Sequence, residues 1–297
     1  MVKILDDVLM RLLFILLLIT ILYLYKVIYL LFSPKQISQK QGIYLIKDNA
    51  AQVLHFFSRL IGICFVFKSI GFSFSTDIIM NMIHFTFWAL ISIFIYLLNI
   101  FILNSATLYQ FDYGDEIIKK QNTPYAFISS FFSIASAYIF IQTINTAGFS
   151  LKNFFVLWLT TMTMVILVLK LYQYISKMNF DKLLNQKRDA IAYSYLGYSV
   201  AVIMLVVTAT TSWIAPNLVF YLQVVSAKIL LILITFPLLN LFITKSFKRF
   251  AFQNKEDQAN EQRFSYKAYG IFEGACFTST GLLTSVLIDK VFLYQLL

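Results

Sequence analysis

Eight long apolar runs follow one another along the chain, and they constrain the fold more than any other feature of the sequence. They cover roughly residues 9–32, 50–71, 78–103, 124–145, 152–175, 190–211, 217–244 and 267–288. A helix needs about 20 mainly apolar residues to span a bilayer. The runs lack a period-two alternation, and only helices or closed barrels satisfy their backbone hydrogen bonds in lipid. The sequence therefore predicts an all-α, polytopic membrane protein with about eight transmembrane helices.

The composition excludes the main soluble alternatives. Of the 297 residues, 60% are hydrophobic and 13% are charged, about half the roughly 25% charged residues of soluble domains. A soluble fold of this length cannot bury so much apolar surface. Cys64 and Cys276 lie inside apolar runs, which argues against a disulfide scaffold or a zinc site. We expect no cofactor, no metal and no nucleic-acid partner; the partner that the composition implies is the lipid bilayer.

The excess of basic residues is interpreted first as topology. The net charge is +10, from 24 Lys and Arg residues against 14 Asp and Glu residues. Long polar connectors near 33–48, 104–123, 176–188 and 246–265 alternate with short links near 72–77, 146–151 and 212–216. Fifteen of the basic residues lie on the side of the long connectors and five on the other side. Because Lys and Arg collect in cytoplasmic loops, we expect cytoplasmic connectors and both termini outside.

The alternation of connectors defines a repeat of four parallel two-helix units. Each unit has one helix, a polar connector, and a second helix that opens with a polar residue and small residues. Asn49, Asn122 and Asp189 stand at three of these openings, 73 and 67 residues apart. Because Asn and Asp side chains accept hydrogen bonds from the first amides of a helix, we predict that all three are helix caps. The fourth unit departs from the pattern, since Lys267 stands at its opening.

The helix openings also carry a family resemblance. The segments YLIKDNAAQVLHFFSRLIG and DEIIKKQNTPYAFISS resemble the two units of the YjfL family of bacterial inner-membrane proteins, whose function is unknown. The usual member has two units and four helices, so the resemblance implies two such proteins fused, over residues 1–147 and 148–297. It also implies residence in the bacterial inner membrane, with cytoplasmic membrane-stress proteins or polyamine and peptide-ligase enzymes as candidate partners. It supplies no catalytic residues.

Ionisable side chains at membrane depth are the candidates for chemistry, because each costs roughly 2.5–3.5 kcal/mol on insertion. Gln52, His55 and Arg59 are spaced by three and four residues, which places them on one face of the second helix. His55 and Glu273 each lie six residues after the opening of their unit, so the repeat matches them. In one interpretation, Glu273 faces His55 and Arg59 across the bundle and forms a track for protons or ions. In the other, these charges form a structural ion pair or reach water in a crevice.

Two weaker signals complete the set of candidates. Lys228 lies too deep in its apolar run for its side chain to reach the interface easily. Gly270 and Gly274 form a GxxxG pattern, for which we expect close helix packing, because small residues let two backbones approach.

Two functions compete. Four units in the same orientation around an axis normal to the membrane would form a channel or transporter for ions or small solutes. Shorter family members would then act as homo-oligomers, and oligomerisation of this chain stays open. The alternative is a non-transporting scaffold or membrane-stress component that docks cytoplasmic partners through its basic connectors. Polar faces that converge on an axis would favour the pore, and an axis filled by apolar side chains would favour the scaffold.

We expect no enzyme. An enzyme that acts on lipid would need a nucleophile with a base, or clustered carboxylates, at one interface. The one acidic cluster, Asp112, Asp115 and Glu116, lies in a single connector beside lysines. The sequence has no GxxxxGK[ST] motif for nucleotides and no HExxH motif for a metalloprotease.

Overall fold

The protein is helical over the part of the chain that the structure describes. The computed structural model describes residues 2–32, 49–70, 78–148, 150–175, 180–211, 218–251 and 267–293. Its helices are α1 (Val2–Phe32), α2 (Ala50–Ser69), α3 (Ile78–Thr107), α4 (Thr123–Ala147), α5 (Leu151–Ile175), α6 (Phe180–Asn185), α7 (Asp189–Thr211), α8 (Leu218–Ala251) and α9 (Lys267–Leu293). A short π-helical turn, Gly114–Lys119, lies between α3 and α4.

Most of these helices have the length and composition of membrane spans. Within the described ranges, seven are long and apolar enough to cross a membrane, namely α2, α3, α4, α5, α7, α8 and α9. The 31-residue helix α1 occupies the first of the eight predicted spans. The prediction of an all-α polytopic membrane protein is therefore confirmed.

Local sequence signals set the two ends of α4. Asn122 precedes the helix, and its side-chain oxygen accepts a hydrogen bond from the Tyr125 amide at 3.2 Å. Pro124 lies in the first turn, where its missing N–H leaves no helical hydrogen bond unmade. Gly148 ends the helix with φ 58°, a left-handed conformation that glycine adopts without strain. The chain enters α5 at Leu151, so the link between α4 and α5 is short.

The second helices of the four units form the centre of the protein and pack in a row, in the order α2, α4, α7, α9. Most residues of the two middle helices, α4 and α7, are buried. The remaining long helices flank the row: α3 contacts α2 and α4, α5 contacts α4 and α7, and α8 contacts α7 and α9. In the described ranges, α2 and α9 lie at the two ends of the row and share no extensive contact.

The row differs from the fourfold ring in which a central axis could open. Large side chains fill the seam between its middle helices, where the rings of Phe132 and Tyr195 meet edge to face with centroids 6.3 Å apart. At the far end of the seam, Thr146 donates a hydrogen bond to the backbone carbonyl of Thr211 at 3.0 Å. The middle of the protein is therefore a packed core.

Helices α7 and α9 approach more closely than any side chain larger than hydrogen would permit at their contact points. A Cβ added at Gly197 would collide with the backbone of Gly274, and one added at Gly270 would collide with the backbone of Ala190. Both glycines of the GxxxG pattern therefore lie in the α7–α9 interface, as expected for helices that associate through small residues.

Two connectors that we predicted as polar loops contain helical turns. The π-helical turn Gly114–Lys119 buries Ile117, and α6 buries Phe180 and Leu184. These apolar residues interrupt the polar composition of their connectors, and their burial under the bundle explains why the turns form. The two turns bring backbone carbonyls to the openings of α2 and α4.

Candidate functional site

Each of the first two helix openings is bonded to the connector of the following unit. The Asn49 side-chain amide donates to the carbonyl of Ile117 at 2.8 Å, and the Asn122 amide donates to the carbonyl of Leu184 at 3.1 Å. Ile117 and Leu184 each lie five residues before the next opening position, Asn122 and Asp189. The two hydrogen bonds are therefore equivalent in the repeat. They join the helix openings at one end of the bundle, which we call the connector end.

Asn122 also holds a buried carboxylate at the connector end. Its amide donates to Glu116 Oε2 at 2.7 Å, and Lys120 Nζ lies 2.6 Å from Glu116 Oε1. Glu116 is 2% exposed and Asn122 is fully buried. A charge buried to this degree must be paired and hydrogen-bonded. Asn122 therefore has two roles, as the cap of α4 and as a hydrogen-bond donor to the Glu116 carboxylate.

The third opening departs from the predicted cap. Asp189 is the first residue of α7, and its carboxylate forms an ion pair with Lys267 at 2.5 Å. One residue with a left-handed backbone conformation precedes each helix, and its position explains the difference. Before α4 this residue is Gln121, directly before Asn122. Before α7 it is Lys187, two residues before Asp189. The chain thus turns into α7 one residue earlier. Lys267 at the fourth opening, which broke the sequence pattern, is the partner of Asp189.

An open pocket of about 710 Å³ lies between α1, α2, α3 and α4 near the connector end. Its polar lining includes Tyr25, His55, Arg59, Asn104, Asp112 and Ser129, and its apolar lining includes Leu97, Ile100 and Phe101. Two of the predicted intramembrane residues, His55 and Arg59, therefore share one site. Gln52 remains at the opening of α2, where its backbone amide donates to Asn49.

The pocket contains buried polar atoms that the described residues leave unsatisfied. His55 is 2% exposed and Ser129 is 1% exposed. Within the described ranges, His55 Nδ1, Ser129 Oγ and Asn104 Oδ1 have no hydrogen-bond partner. Leaving a buried polar atom unpaired costs about 1–3 kcal/mol. The ring of His55 lies 4.6 Å from that of Tyr113 between centroids, which fixes the imidazole at the pocket wall.

The two charged groups of the pocket lie at different depths. Arg59 follows Asn49 by ten residues, which places its backbone about 15 Å along α2 from the connector end. Asp112 lies beyond the end of α3, where its carboxylate accepts a hydrogen bond from the Asp115 amide at 3.2 Å. The pocket therefore has an anion at its mouth and a cation deeper in the bundle.

Asp115, next along the connector, has a different environment. The side chains of Asp112 and Asp115 both reach solvent, but the Lys119 ammonium donates to the Asp115 carboxylate at 2.6 Å and lowers the pKa of that carboxyl. Asp115 is therefore ionised at neutral pH and does not line the pocket.

Glu273 lies in a second polar cluster, away from His55 and Arg59. The Ser194 hydroxyl on α7 donates to Glu273 Oε2 at 2.5 Å, and the Tyr172 hydroxyl on α5 lies 2.9 Å from Ser194 Oγ. Helices α4 and α7 stand between α2 and α9 in the row. The described contacts thus hold Glu273 apart from the two residues that the predicted track would join to it, because the units form a row.

Lys228 lies on α8 near an acidic residue that the sequence reasoning missed. It is 4% exposed, and the carboxylate of Asp289 on α9 is close enough to act on its charge. Asp289 sits near the end of the last apolar run, and that position was the signal for it. In the described ranges, no group of three or more His, Cys, Asp or Glu side chains could hold a metal ion.

Comparison with known proteins assigns a family. A family model described as Domain of Unknown Function (DUF350) matches residues 3–144 and, in tandem, residues 145–288. The chain belongs to the DUF350 family. The tandem match confirms the internal repeat, and the narrower YjfL assignment stays a prediction. No curated protein and no solved structure matches this DUF350 chain significantly.

The two DUF350 copies differ at the site of the pocket. The first copy contains α1–α4 and the second contains α5 and α7–α9, so α2 and α4 correspond to α7 and α9. In the second copy this region is filled by aromatic rings. Tyr172 lies 5.0 Å from both Tyr195 and Tyr198, and Tyr198 lies 5.4 Å from Phe277, between centroids. Six residues after the opening, the second copy thus has the aromatic Tyr195 where the first copy has His55.

Proposed function

We propose that this DUF350 protein is a non-transporting scaffold of the bacterial inner membrane that docks cytoplasmic partners at its connector end. The observation that carries the proposal is the row of second helices. A pore between four repeats needs their polar faces to converge on an axis, whereas large apolar and aromatic side chains fill the seam between α4 and α7.

The connector end offers the chemistry for docking. Lys119, Lys120 and Lys187 are exposed there, and Lys120 pairs with the buried carboxylate of Glu116. Lys187 Nζ also donates to the carbonyl of Lys120, which ties the connectors of the second and third units together. Exposed lysines on ordered connectors can bind acidic side chains of a partner. Membrane-stress proteins and polyamine or peptide-ligase enzymes are the candidate partners by family resemblance.

A channel or transporter is the competing function, and flux through the purified protein separates the two. The protein is reconstituted into liposomes, and K⁺ and H⁺ flux is measured with ion-sensitive dyes under both signs of membrane potential. We expect flux equal to that of protein-free liposomes. Saturable flux that depends on the protein would refute the scaffold, and loss of that flux in Arg59→Gln would assign it to the pocket.

The proposed orientation is tested with single cysteines in a background in which both native cysteines are replaced by serine. Lys187→Cys lies at the connector end and Ser150→Cys lies in the link between α4 and α5, and both side chains are exposed. A membrane-impermeant thiol reagent should label Lys187→Cys in inverted vesicles and Ser150→Cys in intact spheroplasts. The reverse pattern would overturn the orientation and would place the basic connectors outside the cytoplasm.

A further inference from the structure

The pocket of the first copy has the features of a site for a small amphiphile. We infer that it binds phosphatidylethanolamine from the leaflet at the connector end, with the phosphate at Arg59 and the ammonium near Asp112. The inference does not depend on the proposed scaffold function, because a lipid site is compatible with a scaffold and with a transporter.

The tandem repeat provides an internal comparison for this site. The second copy closes the same region with Tyr172, Tyr195, Tyr198 and Phe277, and Ser194 satisfies Glu273 beside them. The corresponding helices of the second copy therefore pack through aromatic rings in this region. The first copy instead retains about 710 Å³, within the roughly 300–1,000 Å³ of ligand pockets in proteins.

Unsatisfied polar atoms indicate that the occupant is polar on one side. His55 Nδ1 and Ser129 Oγ belong to residues that are at least 98% buried, and both residues line the pocket. An apolar occupant would leave these atoms unpaired, at the same cost as an empty site. Both atoms have almost no accessible surface in this structure, so their side chains must rotate toward the pocket before a phosphodiester or an ammonium group can bond to them.

The order of the two charged groups along the bundle matches the order of the two charges in a phospholipid headgroup. Asp112 lies at the mouth, Arg59 lies deeper, and Leu97, Ile100 and Phe101 form the apolar wall. In a phospholipid of the connector-side leaflet, the ammonium lies outermost, the phosphate follows, and the acyl chains point inward. Phe101 is 68% exposed on the surface of α3, so the acyl chains would leave the pocket toward the bilayer.

The charges of the pocket select the headgroup. Arg59 binds the phosphate that all phospholipids share, in the planar geometry that guanidinium groups favour. The carboxylate of Asp112 repels a headgroup of net negative charge and attracts an ammonium. The Asp112 carboxylate also accepts a hydrogen bond that an ethanolamine ammonium can donate and a choline group cannot.

The test measures which lipids stay bound. The full-length protein is placed in nanodiscs of equal amounts of phosphatidylethanolamine, phosphatidylglycerol and phosphatidylcholine, transferred to mild detergent, and analysed by native mass spectrometry. We expect retained phosphatidylethanolamine to exceed the other two lipids by about tenfold, as one charge-assisted hydrogen bond would give. Retention in the proportions of the nanodisc, or a preference for phosphatidylglycerol, would overturn the inference.

Charge variants distinguish the two contacts. Arg59→Gln should lower the retention of every lipid, and Asp112→Asn should remove the preference for phosphatidylethanolamine while other lipids stay bound. Asp115→Asn, in the same connector, and Lys170→Gln, an exposed cation on α5, are the matched controls and should bind as the wild type does. Equal effects of Asp112→Asn and Asp115→Asn would refute the role of Asp112.

A replacement variant and a competition experiment complete the test. If Arg59→Gln does not fold, as judged by its size-exclusion profile, Ser105→Trp replaces it, because Ser105 lines the pocket and is exposed, and an indole there should occupy pocket space and lower lipid retention. Free O-phosphoethanolamine is added to the lipid-bound protein as a competitor. Displacement at micromolar concentration would assign the site to a soluble phosphoamine and would overturn the lipid as occupant; no displacement supports the lipid.

Discussion

The buried amide of Asn122 makes a prediction that separates its role as a helix cap from its role as a ligand of Glu116. Alanine at this position removes the cap of α4, worth about 1 kcal/mol. It also removes the donor to Glu116 and to the Leu184 carbonyl, which adds about 2 kcal/mol because both acceptors are buried. Asn122→Ala should therefore lower the free energy of unfolding by about 3 kcal/mol.

Aspartate at the same position should be less stable than alanine, the reverse of the order expected at a helix cap. Asp caps helices as well as Asn does, so a residue that only capped α4 would tolerate Asn122→Asp. Here, however, the second oxygen would face Glu116 Oε2 at the 2.7 Å now spanned by a hydrogen bond. Repulsion between two carboxylates at this separation should make Asn122→Asp about 2 kcal/mol less stable than Asn122→Ala. Lowering the pH should restore part of the loss, because a proton shared by the two carboxyls removes the repulsion.

The assay is the fraction of monodisperse protein that remains after heating, measured by fluorescence-detected size exclusion at pH 7.5 and pH 5.5. Asn49→Asp is the matched control, because the Asn49 amide faces the neutral carbonyl of Ile117. It should lower the apparent Tm less than Asn122→Asp does. If Asn122→Asp is as stable as the wild type, or more stable than Asn122→Ala at both pH values, the proposed hydrogen bond from Asn122 to Glu116 does not contribute to stability.

Two further predictions concern the second copy. Gly197→Leu should separate α7 from α9 and cost at least the 1–3 kcal/mol typical of overpacking, whereas Ala275→Leu on the exposed face of α9 should change the apparent Tm little; equal shifts would contradict the close approach. Ser194→Ala should cost about 2 kcal/mol, because the Glu273 carboxylate loses a buried donor, and Glu273→Gln in the same chain should recover part of this. Ser285→Ala, whose hydroxyl bonds only within α9, is the control for Ser194→Ala in the same heating assay.

The sequence predicted the helices well because apolar length is a local property. The eight runs needed no knowledge of what packs against them, and the openings of α2 and α4 were visible as Asn residues before small residues. The order of the helices was not visible in this way. Four units with similar openings are compatible with a ring or a row, and the choice depends on contacts such as that of Gly197 with Gly274, which join residues far apart in the chain.

The pocket was only partly predictable for a related reason. His55 and Arg59 stood out because charges are costly inside a span. Tyr25, Asn104 and Asp112 did not, because each is ordinary in its own segment and becomes part of a site only when α1, α3 and the following connector meet α2. Asp112 was considered only within an acidic cluster, although its neighbour Asp115 pairs with Lys119 and lies outside the pocket.

The hydrogen bonds between helix openings and later connectors imply an order in which the units are completed during synthesis. When α2 enters the membrane during synthesis, the acceptor of its Asn49 amide is still 68 residues from being made. Asn122 likewise waits for Leu184, which is 62 residues away. Each unit is therefore completed by the unit translated after it. Lys267, at the fourth opening, forms its ion pair with Asp189 of the unit before it, so the third and fourth units are joined through their openings.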